Sequence, residues 1–231
     1  MTPTTPAVTT PVLQLTGLTR TYPFRGRERA VLKEVSYAFE SGRMYSVVGP
    51  SGSGKSTLLA LAGGLDSPSS GTVSFNGRDI ADLGLGAYRN RHVAMVFQSL
   101  NLLTYLTAVQ NITSAMEITG VGRGGRKQRA VELLDLLGIE EGDRHRRTPE
   151  LSGGQQQRVA IARALACEVD ILFADEPTGS LDHDTAAEII TVLRKLAHDR
   201  GKCVIVFTHS REVAAASDEI LHLKRGRLTR A

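Results

Sequence analysis

The sequence predicts an α/β protein built on a parallel sheet with helices on its faces. Three observations predict it. Short apolar runs of strand length recur at 44–48, 171–174 and 203–207, and the first two are followed by segments of helical character. Each run leads into chemically loaded residues: Gly49, the pair Asp175-Glu176, and His209. Sheets of this kind bind ligands beyond the carboxyl ends of their strands. Finally, 231 residues with 41% apolar and 23% charged content suit one folded α/β domain with a small insertion, and argue against global disorder.

The elements follow in order. Residues 1–12 are rich in Thr and Pro and are expected to form a disordered tail. From Val12 apolar and polar residues alternate through 22, the pattern of a half-buried strand. Gly26 marks a turn, and 31–39 alternates again. The run 44–48 reads as a buried central strand, with a helix expected over 56–61 and ended by Gly63-Gly64. Residues 72–75 read as an edge strand turned by Asn76-Gly77, and 92–97 as a further strand. The stretch 99–147 gives broken helical signals, clearest at 127–137, where Val131, Leu134 and Leu137 share a face. Its basic cluster, Arg123, Arg126, Lys127 and Arg129, reads as a solvated face. Beyond it, helix is expected over 155–167 and strand over 171–174. Thr185 and Glu188 are spaced as a capping box opening a helix that runs to about 200, where Gly201 ends it. A strand is expected over 203–207 and another over 220–224.

Composition narrows the function classes. No stretch approaches the ~18 uncharged apolar residues of a membrane span, and the first residues lack the basic-then-apolar pattern of a signal peptide. The two cysteines, Cys167 and Cys203, suit neither a disulfide scaffold nor a CxxC metal site and are expected as buried thiols. The net charge of +4 permits a polyanionic partner without pointing to one.

Three motifs carry chemistry. Gly49-Pro50-Ser51-Gly52-Ser53-Gly54-Lys55-Ser56 fits G-x-x-x-x-G-K-[ST], with a strand before it and a helix after it. Glycines let the backbone wrap a polyphosphate, and the helix N-terminus adds positive potential. Lys55 is expected to reach the β- and γ-phosphates, the Ser56 hydroxyl to ligate Mg²⁺, and Thr57 to support the α-phosphate side. The pair Asp175-Glu176 closes a buried strand, where Asp175 is placed to hold Mg²⁺ and Glu176 to polarise an attacking water. Ser152-Gly153-Gly154-Gln155 opens a helix and so offers a second phosphate-binding N-terminus. One nucleotide does not easily sit on two helix ends of one subunit, and a second copy of the chain is the simplest answer.

With Gly49–Thr57, Leu151–Gln155, Ile171–Glu176 and His209, the chain resembles the nucleotide-binding domain of an ABC transporter over about 13–228. The resemblance implies a P-loop NTPase core with a parallel sheet, an antiparallel β subdomain and an inserted α-helical subdomain bearing the signature. Core and β subdomain would span 13–98 and 163–231, and the helical subdomain 99–162. It implies that Gln98 touches Mg²⁺ and the water, that Asp182 lies in the loop crossing a dimer interface, that His209 contacts the γ-phosphate and that Tyr22 stacks on adenine. It implies that the signature of one copy, Ser152 to Gln155, binds the γ-phosphate of ATP held by the other, giving two sandwiched ATPs. The motifs of 49–59, 151–165 and 175–182 look like the group of macrolide-efflux, lipoprotein-release and haem-efflux ATPases. In that group a separate integral membrane permease is driven from the cytoplasmic face, here expected to dock near 98–106. The short stretch after 224 leaves no expected room for the C-terminal regulatory domain of sugar-importer ATPases. Cargo export and mechanical signalling without translocation both fit. A nucleic-acid ATPase does not, because neither a coiled-coil insertion nor a second cassette is present, and no nucleic-acid partner is expected.

Overall fold

The computed structural model describes residues 10–24 and 26–231. Most of the expected tail lies outside the described residues. Val12 is already buried, and its carbonyl accepts from the Asn76 amide.

The strands are β1 (Leu13–Phe24), β2 (Arg27–Phe39), β3 (Met44–Val48), β4 (Ser70–Phe75), β5 (Arg78–Asp79), β6 (Val93–Val96), β7 (Ile171–Asp175), β8 (Cys203–Thr208), β9 (Glu219–Lys224) and β10 (Arg227–Arg230). The helices are α1 (Lys55–Ala62), α2 (Ile80–Leu83), α3 (Leu85–His92), α4 (Ala108–Thr119), α5 (Arg126–Leu136), α6 (Gly153–Leu165), α7 (His183–His198) and α8 (Arg211–Ala216).

Among the described residues the strands form two sheets. One is antiparallel, in the order β2-β1-β4-β5; the other runs β10-β9-β3-β8-β7-β6, parallel except for β10. The strands β3, β7 and β8 are buried on both faces, which is why they read as continuous apolar runs. Alternate side chains feed two cores. Cys203, Ile205 and Phe207 join the layer with α1 and the antiparallel sheet, while Val204 and Val206 join the layer with α4 to α7. All five parallel strands therefore point their carboxyl ends the same way, and β3, β7 and β8 deliver Gly49, Glu176 and His209 to one edge.

Several expectations are corrected. Residues 72–75 are not an edge strand: β4 sits between β1 and β5. The cap of α7 is Asp182, whose carboxylate accepts from the Thr185 amide at 3.0 Å and the Thr185 hydroxyl at 2.7 Å. Thr185 is thus inside the helix, and Glu188 pairs with Arg158 rather than closing a capping box. The buried face of α5 is Ala130, Leu133 and Leu134, with Leu137 just beyond, while Val131 is only partly covered. The segment α6 begins at Gly153, two residues earlier than expected, and runs to Leu165. Cys203 is buried, but Cys167 is only partly so.

Candidate functional site

The chain leaves β3 at Gly49, wraps back and enters α1 at Lys55. Two glycines are required on steric grounds. A Cβ on Gly49 would lie 2.4 Å from the Leu223 carbonyl oxygen, and Gly54 caps α1 with φ +107°, a left-handed value few other residues adopt. The Lys55 ammonium donates to the Gly49 carbonyl at 2.7 Å, folding its side chain over the loop. Ser53 is buried inside the loop, its hydroxyl lacking a partner among the described residues.

A cavity of about 680 Å³ lies over this loop, lined by Gly49–Gly52 and Gly54–Thr57 together with Gln98, Asp175, Glu176 and His209. Gln98 follows β6, Asp175 ends β7, and His209 follows β8. The chain just after Gln98 turns through two left-handed residues, Leu100 (φ +58°) and Asn101 (φ +48°). Arg163 of α6 holds that turn, donating to the Leu100 carbonyl at 2.8 Å and the Asn101 carbonyl at 2.6 Å. Burial pushes the Arg163 pKa down, and nearby Cys167 opposes this only in part.

The acidic pair splits by environment. Burial raises the Asp175 pKa, the neighbouring Glu176 raises it further, and Lys55 opposes both. The Asp175 carboxylate takes no hydrogen bond from the described residues. Glu176 is tightly held instead. Its Oε2 accepts from the Thr208 hydroxyl at 2.9 Å and the His209 amide at 3.3 Å, and its Oε1 pairs with His209 Nδ1 at 2.8 Å. Glu176 itself is left-handed, with φ +47°.

The expected Mg²⁺ donors fit that ion. The Ser56 hydroxyl, the Gln98 amide oxygen and the Asp175 carboxylate are hard oxygen donors, and all three residues line the one cavity. The remaining expected residues are elsewhere. Ser152 caps α6, accepting from the Gln155 amide at 3.2 Å while Gln155 Oε1 accepts from the Ser152 amide at 2.9 Å. Ser152 and Gly153 are exposed, and a Cβ on Gly154 would meet Thr185 Cγ2 at 2.5 Å, so the signature packs against α7. Asp182 is exposed, and its bonds to Thr185 hold its pKa down. None of Ser152, Gly153, Gly154, Gln155 or Asp182 lines the phosphate-loop cavity. Tyr22 does not line it either: its ring lies under the Arg20 guanidinium at 4.8 Å and its hydroxyl donates to Asp66 at 3.3 Å. The sequence reading missed Arg29 and Val31, which do line the cavity from β2, and Thr208 and Arg163. A polar β-branched residue closing an otherwise apolar strand was the available signal for Thr208.

Residues 32–179 match the family model described as ABC transporter. The chain belongs to the ABC transporter family. It is an ABC ATPase. A Bacillus subtilis relative, the uncharacterized ABC transporter ATP-binding protein YclH, is 44% identical over 208 residues, covering 90% of this chain and 92% of the relative. The macrolide export ATP-binding/permease protein MacB of Photorhabdus laumondii is 42% identical over 221 residues; these are 94% of this chain but only 34% of that protein. Among solved structures, the dimeric bacterial ABC transporter cassette MJ0796 superposes with a TM-score of 0.86 at 40% identity, covering 94% of this chain and 97% of that one. Its post-hydrolysis state bound to ADP and Pi superposes with a TM-score of 0.86 at 39% identity. This chain is therefore an ABC ATPase cassette in fold as well as in sequence.

Proposed function

We propose that this ABC ATPase closes as a pair around two ATPs and drives a separate membrane permease from the cytoplasmic face, in the direction of export. The carrying observation is the division of the site. The loop Gly49–Thr57, Gln98, Asp175, Glu176 and His209 share one cavity, while Ser152–Gln155 and Asp182 lie outside it, with Ser152, Gly153 and Asp182 exposed. A second copy supplies what one copy lacks. The dimeric relative MJ0796 supports this reading, and the export named for MacB supports the direction. The cargo class we infer is a small hydrophobic compound, haem, a peptide or a lipoprotein.

The chemistry is phosphoryl transfer to water. The loop amides and Lys55 bind the β- and γ-phosphates; the adenine stacks on Tyr22. Ser56, Asp175 and Gln98 would hold Mg²⁺, which when bound neutralises charge on the phosphate oxygens. Glu176 orients the attacking water and accepts its proton, and His209 contacts the γ-phosphate. Most of the acceleration is positioning and electrostatics. The sites are complete only in the closed pair, so hydrolysis reports closure.

The test is sedimentation of purified Glu176→Gln. It should be monomeric without nucleotide and dimeric with ATP. Adding Ser152→Arg should abolish the dimer while ATP binding to the monomer persists. A nucleotide-free dimer indifferent to Ser152→Arg would rule out the paired arrangement.

A further inference from the structure

The Glu176 carboxylate is held asymmetrically, and its anchor is a residue with no role so far. Thr208 ends β8, the strand between β3 and β7, and is fully buried. It pairs with Val48, the residue before the phosphate loop, in the β3–β8 register. On its other side the Glu176 amide donates to the Phe207 carbonyl at 2.8 Å, carrying the β7–β8 ladder one residue past Asp175. Thr208 is thus wedged between the strand that feeds the phosphate loop and the residue that faces the water.

Its hydroxyl has one proton. The Ser210 amide donates to Thr208 Oγ1 at 3.0 Å, which occupies a lone pair and directs that proton to Glu176 Oε2 at 2.9 Å. A β-branched side chain on a buried strand has little freedom at χ1, so the donor is fixed in place. The second donor to Oε2 is the His209 backbone amide, equally fixed. The partner of Oε1 is different in kind. It is the His209 ring, whose side chain is 76% exposed against 12% for Glu176. A ring that exposed can swing away; the donors on Oε2 cannot.

We propose that Thr208 is the positioning residue for Glu176: it anchors Oε2, so that Oε1 alone exchanges between the His209 ring and the attacking water. The inference rests on Glu176 acting as proton acceptor. The carboxylate then needs no reorientation when His209 turns towards the nucleotide. Only one oxygen is released, already aimed.

The test is Thr208→Val, which keeps the shape and removes the donor. Its kcat should fall about tenfold or more, as expected for losing a hydrogen bond to a charged group, with the KM for ATP unchanged. Thr208→Ser keeps the hydroxyl and should restore most of the rate. Thr208→Cys, a weaker donor, should fall between, and serves if the valine variant does not fold. ATP affinity by equilibrium binding should match wild type in all three. In a Glu176→Gln background, Thr208→Val should add no more than about a twofold loss, because the group it positions is gone. Three results would each overturn the proposal: wild-type turnover in the valine variant, a serine variant as slow as valine, or an undiminished valine effect in the Glu176→Gln background. Wild-type turnover in Glu176→Gln alone would instead remove Glu176 from the mechanism, a separate failure.

Discussion

In the mechanism proposed above, Glu176 and Lys55 divide the work of the site at the level of single residues. The Glu176 carboxylate is hydrogen-bonded to Thr208 and His209 rather than to the loop expected to bind phosphate. Lys55 sits in that loop, bonded to its Gly49 carbonyl. Glu176→Gln should therefore leave ATP affinity intact and slow turnover by ~10²–10⁴, the range of a general base. Lys55→Ala should weaken both. Affinity and turnover measured on the two variants check the division, and an affinity loss in Glu176→Gln would contradict it. Tyr22 is a different case. Its ring is covered by Arg20 and its hydroxyl is on Asp66, so it must exchange these contacts to stack on a base. Stacking is equal in the ground and transition states, so Tyr22→Ala should raise the KM for ATP and leave kcat nearly unchanged. A kcat loss at constant KM would assign Tyr22 elsewhere. Tyr22 was named through the family resemblance alone, whereas Glu176 and Lys55 were legible in the sequence because each lies in a motif whose spacing the chemistry dictates. Thr208 and Arg163 were not, since their bonds to Glu176 and to the Leu100–Asn101 turn cross between distant strands and helices.

Elements were legible where burial is simple. The strands β3, β7 and β8, covered on both faces, announced themselves as apolar runs. The segment α3 did not, because it buries only Tyr88 and carries no apolar stripe. The start of α4 had a readable signal, the capping box of Thr107 with Gln110. The start of α7 was misread because Asp182, not Thr185, makes the capping bonds. Pinning the far end of the sheet is Asp218, which accepts from the Met44 amide at 2.7 Å and from His198 at 2.9 Å, joining β3, α7 and the start of β9. Burial works to raise the Asp218 pKa, but the Met44 amide and His198 outweigh it and the net shift is downward. A carboxylate with a lowered folded-state pKa contributes stability above its ordinary pKa of about 3.9, and loses it as pH falls through the lower folded value. Asp218→Ala should cost about 1–3 kcal/mol near neutral pH and flatten the stability curve below about pH 4. Denaturant unfolding across pH checks both; unaltered acid sensitivity would mean other carboxylates dominate.

At the scale of the whole molecule, the segment 99–106 presents exposed apolar surface. Residues 99–106 leave Gln98 and lead to α4, joining the phosphate-loop cavity to the helical layer. Their apolar residues differ in exposure, and Leu106 is partly covered. Leu100 and Leu102 pack against the core of α4 to α7, whereas Leu103 is 38% and Tyr105 68% exposed. The backbone beneath them is rigid. Asn111, fully buried, accepts from the Leu103 amide at 2.8 Å and donates to the Leu103 carbonyl at 3.1 Å, while Arg163 locks the preceding turn. We propose that these two exposed apolar side chains, on a pinned loop beside the cavity, receive a short helix from the permease subunit inferred above. In MacB, ATP-binding and permease functions are named together, and this chain spans only 34% of that protein. Because the stability of the loop comes from Leu100, Leu102, Asn111 and Arg163, charges at Leu103 and Tyr105 should be tolerated by the fold. Leu103→Glu with Tyr105→Glu should keep the basal ATPase and the melting temperature of the isolated chain. Co-purification with the membrane subunit, and its stimulation of hydrolysis, should be lost. If the double variant instead unfolds, these residues belong to the core and the docking face lies elsewhere.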